Sequence, residues 1–284
     1  MDAKRSRELI RRERFIDGRH IPGISLERVD YYVHKGAHPL VVCMGLGSSA
    51  KLDPLIEGLA KNFRVTACSP RGAGTSIGSL TLGDHIMDVK YIVDKVGNER
   101  GEKPYVYGHS FGAHALAKAL TIREIAKKAL LAAPLLHPLE QNPSLVNWYL
   151  KRTQERQEVG GLFSLAAYAS RRRFLPRGNR DATWLVIDNQ WFSKDAVLPF
   201  LDSLILAEPV TGKLQSPTRV LLAGKSNFGF TLDDFWDIAC QWEKHGAQVV
   251  SYKKQDHYFS DGKGYFTTPD ADAIIGNITD YFNQ

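Results

Sequence analysis

The 284-residue chain is 43% hydrophobic and 10% aromatic, enough apolar material for a large core in one large domain or two small ones. Its net charge of +6 is modest for the length, and no nucleic-acid-binding motif accompanies it. No apolar run approaches the ~18 residues of a membrane span, and Met1-Asp2-Ala3-Lys4-Arg5-Ser6-Arg7 lacks the apolar stretch of a secretory signal.

In chain order, residues 3–14 read as an amphipathic helix, with Leu9 and Ile10 among Lys4, Arg5, Arg7, Arg11, Arg12 and Arg14. Two short strands follow in 15–34, around Ile21-Pro22-Gly23, the second over Leu26 to Val33. Apolar runs at 39–44 and 64–68 read as buried strands, with a helix near 52–62 between them. Asp84 can cap a helix whose apolar face is Ile86, Val89, Val93 and Val96. Strands are expected at 104–109, 129–133, 218–223 and 247–252, and helices near 233–245 and 270–283. Strands alternating with helices imply an α/β fold, a mostly parallel, doubly wound sheet covered on both faces.

The interval 135–210 breaks this rhythm. It carries Trp148, Tyr149, Phe163, Tyr168, Trp184, Trp191 and Phe200, with helical patterns over 143–157, 161–174 and 194–206. Arg171, Arg172, Arg173, Arg177 and Arg180 form a second basic group there. Both basic groups read either as solvated faces or as attraction for an anionic substrate or surface. The three cysteines, Cys43, Cys68 and Cys240, are odd in number and far apart, and read as reduced core thiols of a cytoplasmic protein. The nine histidines form no H-E-x-x-H or paired-ligand pattern, so no metal site is expected.

Val106-Tyr107-Gly108-His109-Ser110-Phe111-Gly112 places a serine between two glycines, after a strand-like run and before the helical Ala113 to Leu120. A strand that turns within one residue into a helix strains the serine backbone and lifts its hydroxyl above the sheet edge. The backbones approach closely there, so small neighbours are needed. This is the G-x-S-x-G nucleophile elbow. Upstream, Leu40 to Cys43 leads into Met44-Gly45-Leu46-Gly47-Ser48-Ser49. Acyl transfer needs two preorganised N–H donors for the developing oxyanion. The N–H groups of Phe111, after the nucleophile, and Leu46, in this loop, are the candidates. There is no G-K-[ST], and G-x-G without a third glycine is not a dinucleotide fingerprint, so no phosphate-bearing cofactor is expected.

After the strand Arg64 to Cys68 comes Ser69-Pro70-Arg71-Gly72-Ala73-Gly74-Thr75-Ser76. With the earlier loop, the elbow and a late histidine, the chain here resembles the α/β-hydrolase superfamily. Met44 stands where a His is usual in that family, and Ser69 where an Asp is usual; both positions are mainly structural. The resemblance implies an α/β-hydrolase core in two parts, 1–134 and 211–284, with 135–210 an inserted helical cap over the serine. It also implies a catalytic histidine after the last strand, where Gln255-Asp256-His257-Tyr258-Phe259 lies. Serine needs a base within hydrogen-bond reach, and His257 is that base. His109 and His114 are poorer candidates. The acid is expected after the penultimate strand in a G-x-x-D pattern, but Leu222-Ala223-Gly224-Lys225-Ser226-Asn227 puts Asn227 there. An asparagine orients the imidazole without offering charge. Asp233, which could instead cap the following helix, and Glu140, after the cap-entry strand, are the alternatives.

Two functions stay open. One is a serine hydrolase acting on an ester, thioester or related acyl bond of a small molecule, anionic ones included; hydrolytic C–C cleavage is a variant, in which Arg171 to Arg173 would meet a substrate carboxylate. The other is a non-catalytic ligand-binding or scaffold member of the same fold, favoured by Asn227 and opposed by the intact elbow and His257.

Overall fold

The computed structural model describes residues 10–18, 24–45, 50, 52–71, 75–78, 81–134, 184–187, 190–193, 209–225, 232–256, 259 and 271–284. The short apolar runs at Pro39–Cys43 (β3), Arg64–Cys68 (β4), Tyr105–His109 (β5) and Ala129–Ala132 (β6) are buried strands. With Arg11–Gly18 (β1), Ser25–Tyr32 (β2), Thr218–Lys225 (β9) and Ala247–Asp256 (β10) they form one eight-stranded sheet, in the order β1-β2-β4-β3-β5-β6-β9-β10. β1 pairs β2 and β2 pairs β4 antiparallel; every other neighbouring pair is parallel. Parallel neighbours need crossovers, which the helices supply.

Alternation along each strand sends side chains into two cores. On β3, Val41 and Cys43 join one core, with Val89, Val93 and Val96 of Leu82–Arg100 (α2), Leu116 of Phe111–Ile122 (α3) and Trp242 of Leu232–Lys244 (α4). Leu40 and Val42 join the other, with Leu55 and Ile56 of Pro54–Leu59 (α1) and Ile274 and Ile278 of Ala271–Asn283 (α5). A sheet buried on both faces explains why these strands read as continuous apolar runs. None of the described helices is long and apolar enough to cross a membrane.

Three expectations need correction. Residues 11–14 are strand, not helix; residues 3–9 of that expected helix lie outside those described. The charges of β1 pair across strands instead of along a helix. Tyr32 donates to Glu13 (2.7 Å), Arg64 donates to Glu13 (2.5 Å), Arg14 donates to Glu27 (2.9 Å), and the Arg28 guanidinium lies 4.4 Å from the Phe15 ring centre. The cap of α2 is Thr81, which accepts from the Asp84 N–H (3.1 Å) while the Asp84 carboxylate accepts from the Thr81 N–H (3.3 Å); Asp84 is the return half of a capping box. Cys43 is buried and Cys68 half-buried, but Cys240 is exposed on α4, not a core thiol.

Within 135–210, the structure adds a hairpin, Trp184–Ile187 (β7) with Gln190–Ser193 (β8), paired antiparallel from Trp184↔Ser193 to Ile187↔Gln190. It falls between the second and third helical patterns of the sequence, which themselves lie outside the described residues.

Candidate active site

β3 leads to β4 on one side and β5 lies on its other side, so the chain reverses direction of travel between β3 and β5. In open α/β sheets, ligands bind beyond the carboxyl ends of the strands at such a point. Ser110 sits there, between the last residue of β5 and the first of α3. Its backbone adopts φ 53° and ψ −119°, a region that a side chain disfavours. Two hydrogen bonds hold it: the Ser110 N–H donates to the Ala132 carbonyl (2.8 Å), and its carbonyl accepts the His114 N–H (3.0 Å). Ser110, Ala133 and Phe259 are the described non-glycine residues with positive φ, and they follow β5, β6 and β10. Backbone strain thus collects at the carboxyl edge of the sheet.

The two elbow glycines are required by distance. A Cβ on Gly108 would lie 2.7 Å from the Ala113 Cα, and one on Gly112 only 2.2 Å from the Cys43 carbonyl oxygen. The turn therefore packs backbone against backbone, both on its own helix and on the end of β3. Gly45, two residues past β3, packs on the serine less tightly: a Cβ there would lie 3.1 Å from the Ser110 Cβ. The loop expected to carry an oxyanion donor thus begins against the serine.

Phe111 opens α3, where the first N–H groups point out of the helix end. Its buried ring stacks on His85 of α2, with centroids 5.0 Å apart and planes 11° from parallel. Neither His85 ring nitrogen has a hydrogen-bond partner among the described residues. Burial, with the Arg71 charge adding to it, pushes its pKa down to about 4, so the ring is neutral near pH 7. His85 also lines a cavity of about 20 Å³ with Cys43, Cys68 and Ser69, enough for one water. Arg71 donates to both carboxylate oxygens of Asp88 (2.7 and 2.8 Å) and lies 3.0 Å from Asp84, tying the loop after β4 to α2.

Sequence reasoning missed His85 and Asp88. The signal for His85 was its place four residues before Val89 on the face already read as apolar; nothing in the sequence paired Asp88 with Arg71. Of the expected site residues, Ser110 and Phe111 come together beside Gly45. Asp233 falls in the first turn of α4. Leu46, Asn227, Glu140 and His257 lie outside the described residues. The strands that lead to Asn227 and His257 are neighbours, and Lys225 at the end of β9 pairs with Asp256 at the end of β10 after a shift in register.

A sheet of this order with a strained serine after β5 defines the α/β-hydrolase class. A family model described as "Alpha/beta hydrolase family" matches residues 38–271, and the chain belongs to that family. Solved structures share the fold. A hydrolase from Pseudomonas aeruginosa is 16% identical with a TM-score of 0.67, over 96% of this chain and 99% of that one. The carboxylesterase CesB of Bacillus subtilis is 16% identical with a TM-score of 0.63, over 98% and 95%. The esterase Pf2001 of Pyrococcus furiosus is 14% identical with a TM-score of 0.62, over 100% and 95%. No curated protein matches the chain in sequence.

Proposed function

We propose that this protein is a serine hydrolase that cleaves an ester, thioester or related acyl bond of a small molecule. The observation that carries the reading is the strained Ser110 backbone at the strand–helix junction, φ 53° and ψ −119°, held against Gly45. A serine with no chemical task has no reason to keep such a conformation where glycine would be unstrained. That two fold relatives are named an esterase and a carboxylesterase supports an ester-type bond.

In this mechanism, Ser110 Oγ attacks the acyl carbon as its proton passes to His257. The tetrahedral oxyanion takes hydrogen bonds from the N–H groups of Leu46 and Phe111. The intermediate collapses, the leaving group takes the proton from His257, and Ser110 holds the acyl group as an ester. A water deprotonated by His257 then attacks that ester, and its collapse releases the acid and restores the serine hydroxyl. Asn227 orients the imidazole, with Asp233 or Glu140 in that role as the alternative. Residues 135–210 form a cap that excludes water and selects the substrate.

The test is turnover of a short-chain aryl ester by the wild type, by Ser110→Ala and by His257→Ala. The wild type should turn over, and both variants should lose activity while remaining folded. Activity that survives Ser110→Ala, or a wild type inert to a series of acyl chain lengths, rejects the reading; inertness would favour a ligand-binding role.

A further inference from the structure

Leu46, the expected oxyanion donor, lies between Gly45 and Ala50 in the sequence. Ala50 is buried and held through both its N–H and its carbonyl by side chains. The Ser69 hydroxyl accepts the Ala50 N–H (2.9 Å), and the Tyr31 hydroxyl donates to the Ala50 carbonyl (2.8 Å). Ser69 in turn donates to the Glu27 carboxylate (2.9 Å), which also accepts the Thr75 N–H (3.1 Å). A second pair of bonds locks Ser69 in place. Its N–H donates to the Glu27 carbonyl (3.0 Å), and its carbonyl accepts the Ser76 hydroxyl (2.8 Å), which itself accepts the Glu27 N–H (2.7 Å).

A serine hydroxyl alone could rotate. Here a carboxylate on β2 accepts its O–H, so its lone pairs face the Ala50 N–H. Burial pushes the Glu27 carboxyl up, but the Thr75 N–H, the Ser69 hydroxyl and Arg14 outweigh it and leave it below the ordinary value. Glu27 is therefore an acceptor at neutral pH, as the relay requires.

We infer that Glu27, Ser69 and Tyr31 are positioning residues: by clamping Ala50 they fix one end of the segment whose other end, Gly45, packs on Ser110. The inference rests on the hydrolase reading above. A donor displaced by about 1 Å can cost ~100-fold in rate, so the clamp acts on kcat more than on KM. Glu27 supplies from a neighbouring strand the charge that Ser69 lacks.

The test uses the full chain, with active sites titrated by a fluorophosphonate so that rates are per folded, competent molecule. Ser69→Ala should lower kcat for an aryl ester by about 10- to 100-fold with KM within a few-fold. Glu27→Gln should lower it less. Ser69→Asp added to Glu27→Gln should restore most of the loss, because an aspartate there takes the Ala50 N–H directly. Tyr31→Phe, which keeps the packing, should act in the same direction, and serves if Ser69→Ala does not fold. Amide exchange of the 45–50 segment should quicken in each damaged variant. Wild-type kcat per titrated site in both Ser69→Ala and Tyr31→Phe overturns the clamp, whatever happens to thermal stability. A wild type inert to esters and to the probe would reject the hydrolase reading; exchange alone would then decide the clamp, and unchanged exchange in Ser69→Ala would overturn it.

Discussion

Gly112 is the position where the elbow geometry makes its sharpest quantitative demand. A Cβ there would meet three backbone atoms of β3 and the residue after it: the Cys43 oxygen at 2.2 Å, the Met44 oxygen at 2.5 Å and the Cys43 carbonyl carbon at 2.7 Å. The nearest is about 1 Å inside the 3.4 Å at which ordinary contacts begin. No side chain can rotate to make room, and the end of β3 is pinned by Cys43↔Cys68 on one side and Cys43↔Gly108 on the other. Overpacking a core typically costs about 1–3 kcal/mol, and a backbone collision belongs at the top of that range. Alanine returns up to about 1 kcal/mol through helix propensity. Gly112→Ala should therefore lose about 2 kcal/mol, a fall of roughly 4–8 °C in Tm for a chain of this size. Gly276, in the interior of α5, supplies the control, because a Cβ there meets nothing within 4 Å. Gly276→Ala should gain up to about 1 kcal/mol from helix propensity alone. Thermal and urea melts of the two variants beside the wild type measure both signs. Gly112→Ala should also slow ester turnover, since the displaced backbone runs directly into Gly45 beside Ser110. A Gly112→Ala protein as stable as Gly276→Ala would refute the packing described for the elbow.

Three further outcomes are expected. The His85 pKa of about 4 lies below the ordinary 6.5, so the unfolded chain takes up the proton first on acidification; stability is full above about pH 6.5 and falls toward pH 4, by up to about 3 kcal/mol. Urea melts across that window should show the loss in the wild type relative to His85→Phe, and parallel profiles would contradict it. The comparison with the variant is needed because burial raises half-buried Asp53 to about 6, which favours the folded state as pH falls and masks part of the slope. Ser110→Gly should be more stable than Ser110→Ala by about 1 kcal/mol, as glycine relieves the positive φ; equal melting temperatures would mean that the conformation stores no strain. Asn227→Asp should raise ester turnover about tenfold, ~1.4 kcal/mol of barrier, by giving the imidazolium a charged partner. A neutral or harmful effect would point to Asp233 or Glu140, with Asp233→Asn or Glu140→Gln then the damaging change.

The buried parallel strands were legible because both faces are covered, which leaves apolar runs such as Leu40 to Cys43 with no other reading. The elbow was legible because Gly108, Ser110 and Gly112 sit between a strand and a helix, and the glycine contacts explain why no larger residue could stand there. β1 was not legible. Its arginines and Glu13 have the spacing of a solvated helix face, and their partners, Glu27, Tyr32 and Arg64, lie 13 to 51 residues away. The same holds for buried Asp30, which accepts from Arg64, Thr66 and Arg100: an ion network that closes across three elements leaves no periodicity. The hairpin of β7 and β8 did carry a signal, two strand-prone runs around Asp188-Asn189, but the surrounding helical patterns obscured it. The Ala50 clamp escaped because Glu27, which accepts the Ser69 hydroxyl, lies 42 residues away on another strand and leaves no local pattern.

The account turns on Ser110 being an activated nucleophile. The most direct measurement is covalent labelling by a fluorophosphonate, followed by mass spectrometry of the peptide that carries the adduct. The expected result is one adduct per chain, on Ser110, absent from Ser110→Ala and strongly slowed in His257→Ala. No adduct on the folded wild type, or an adduct on another residue that persists in Ser110→Ala, would contradict the central claim.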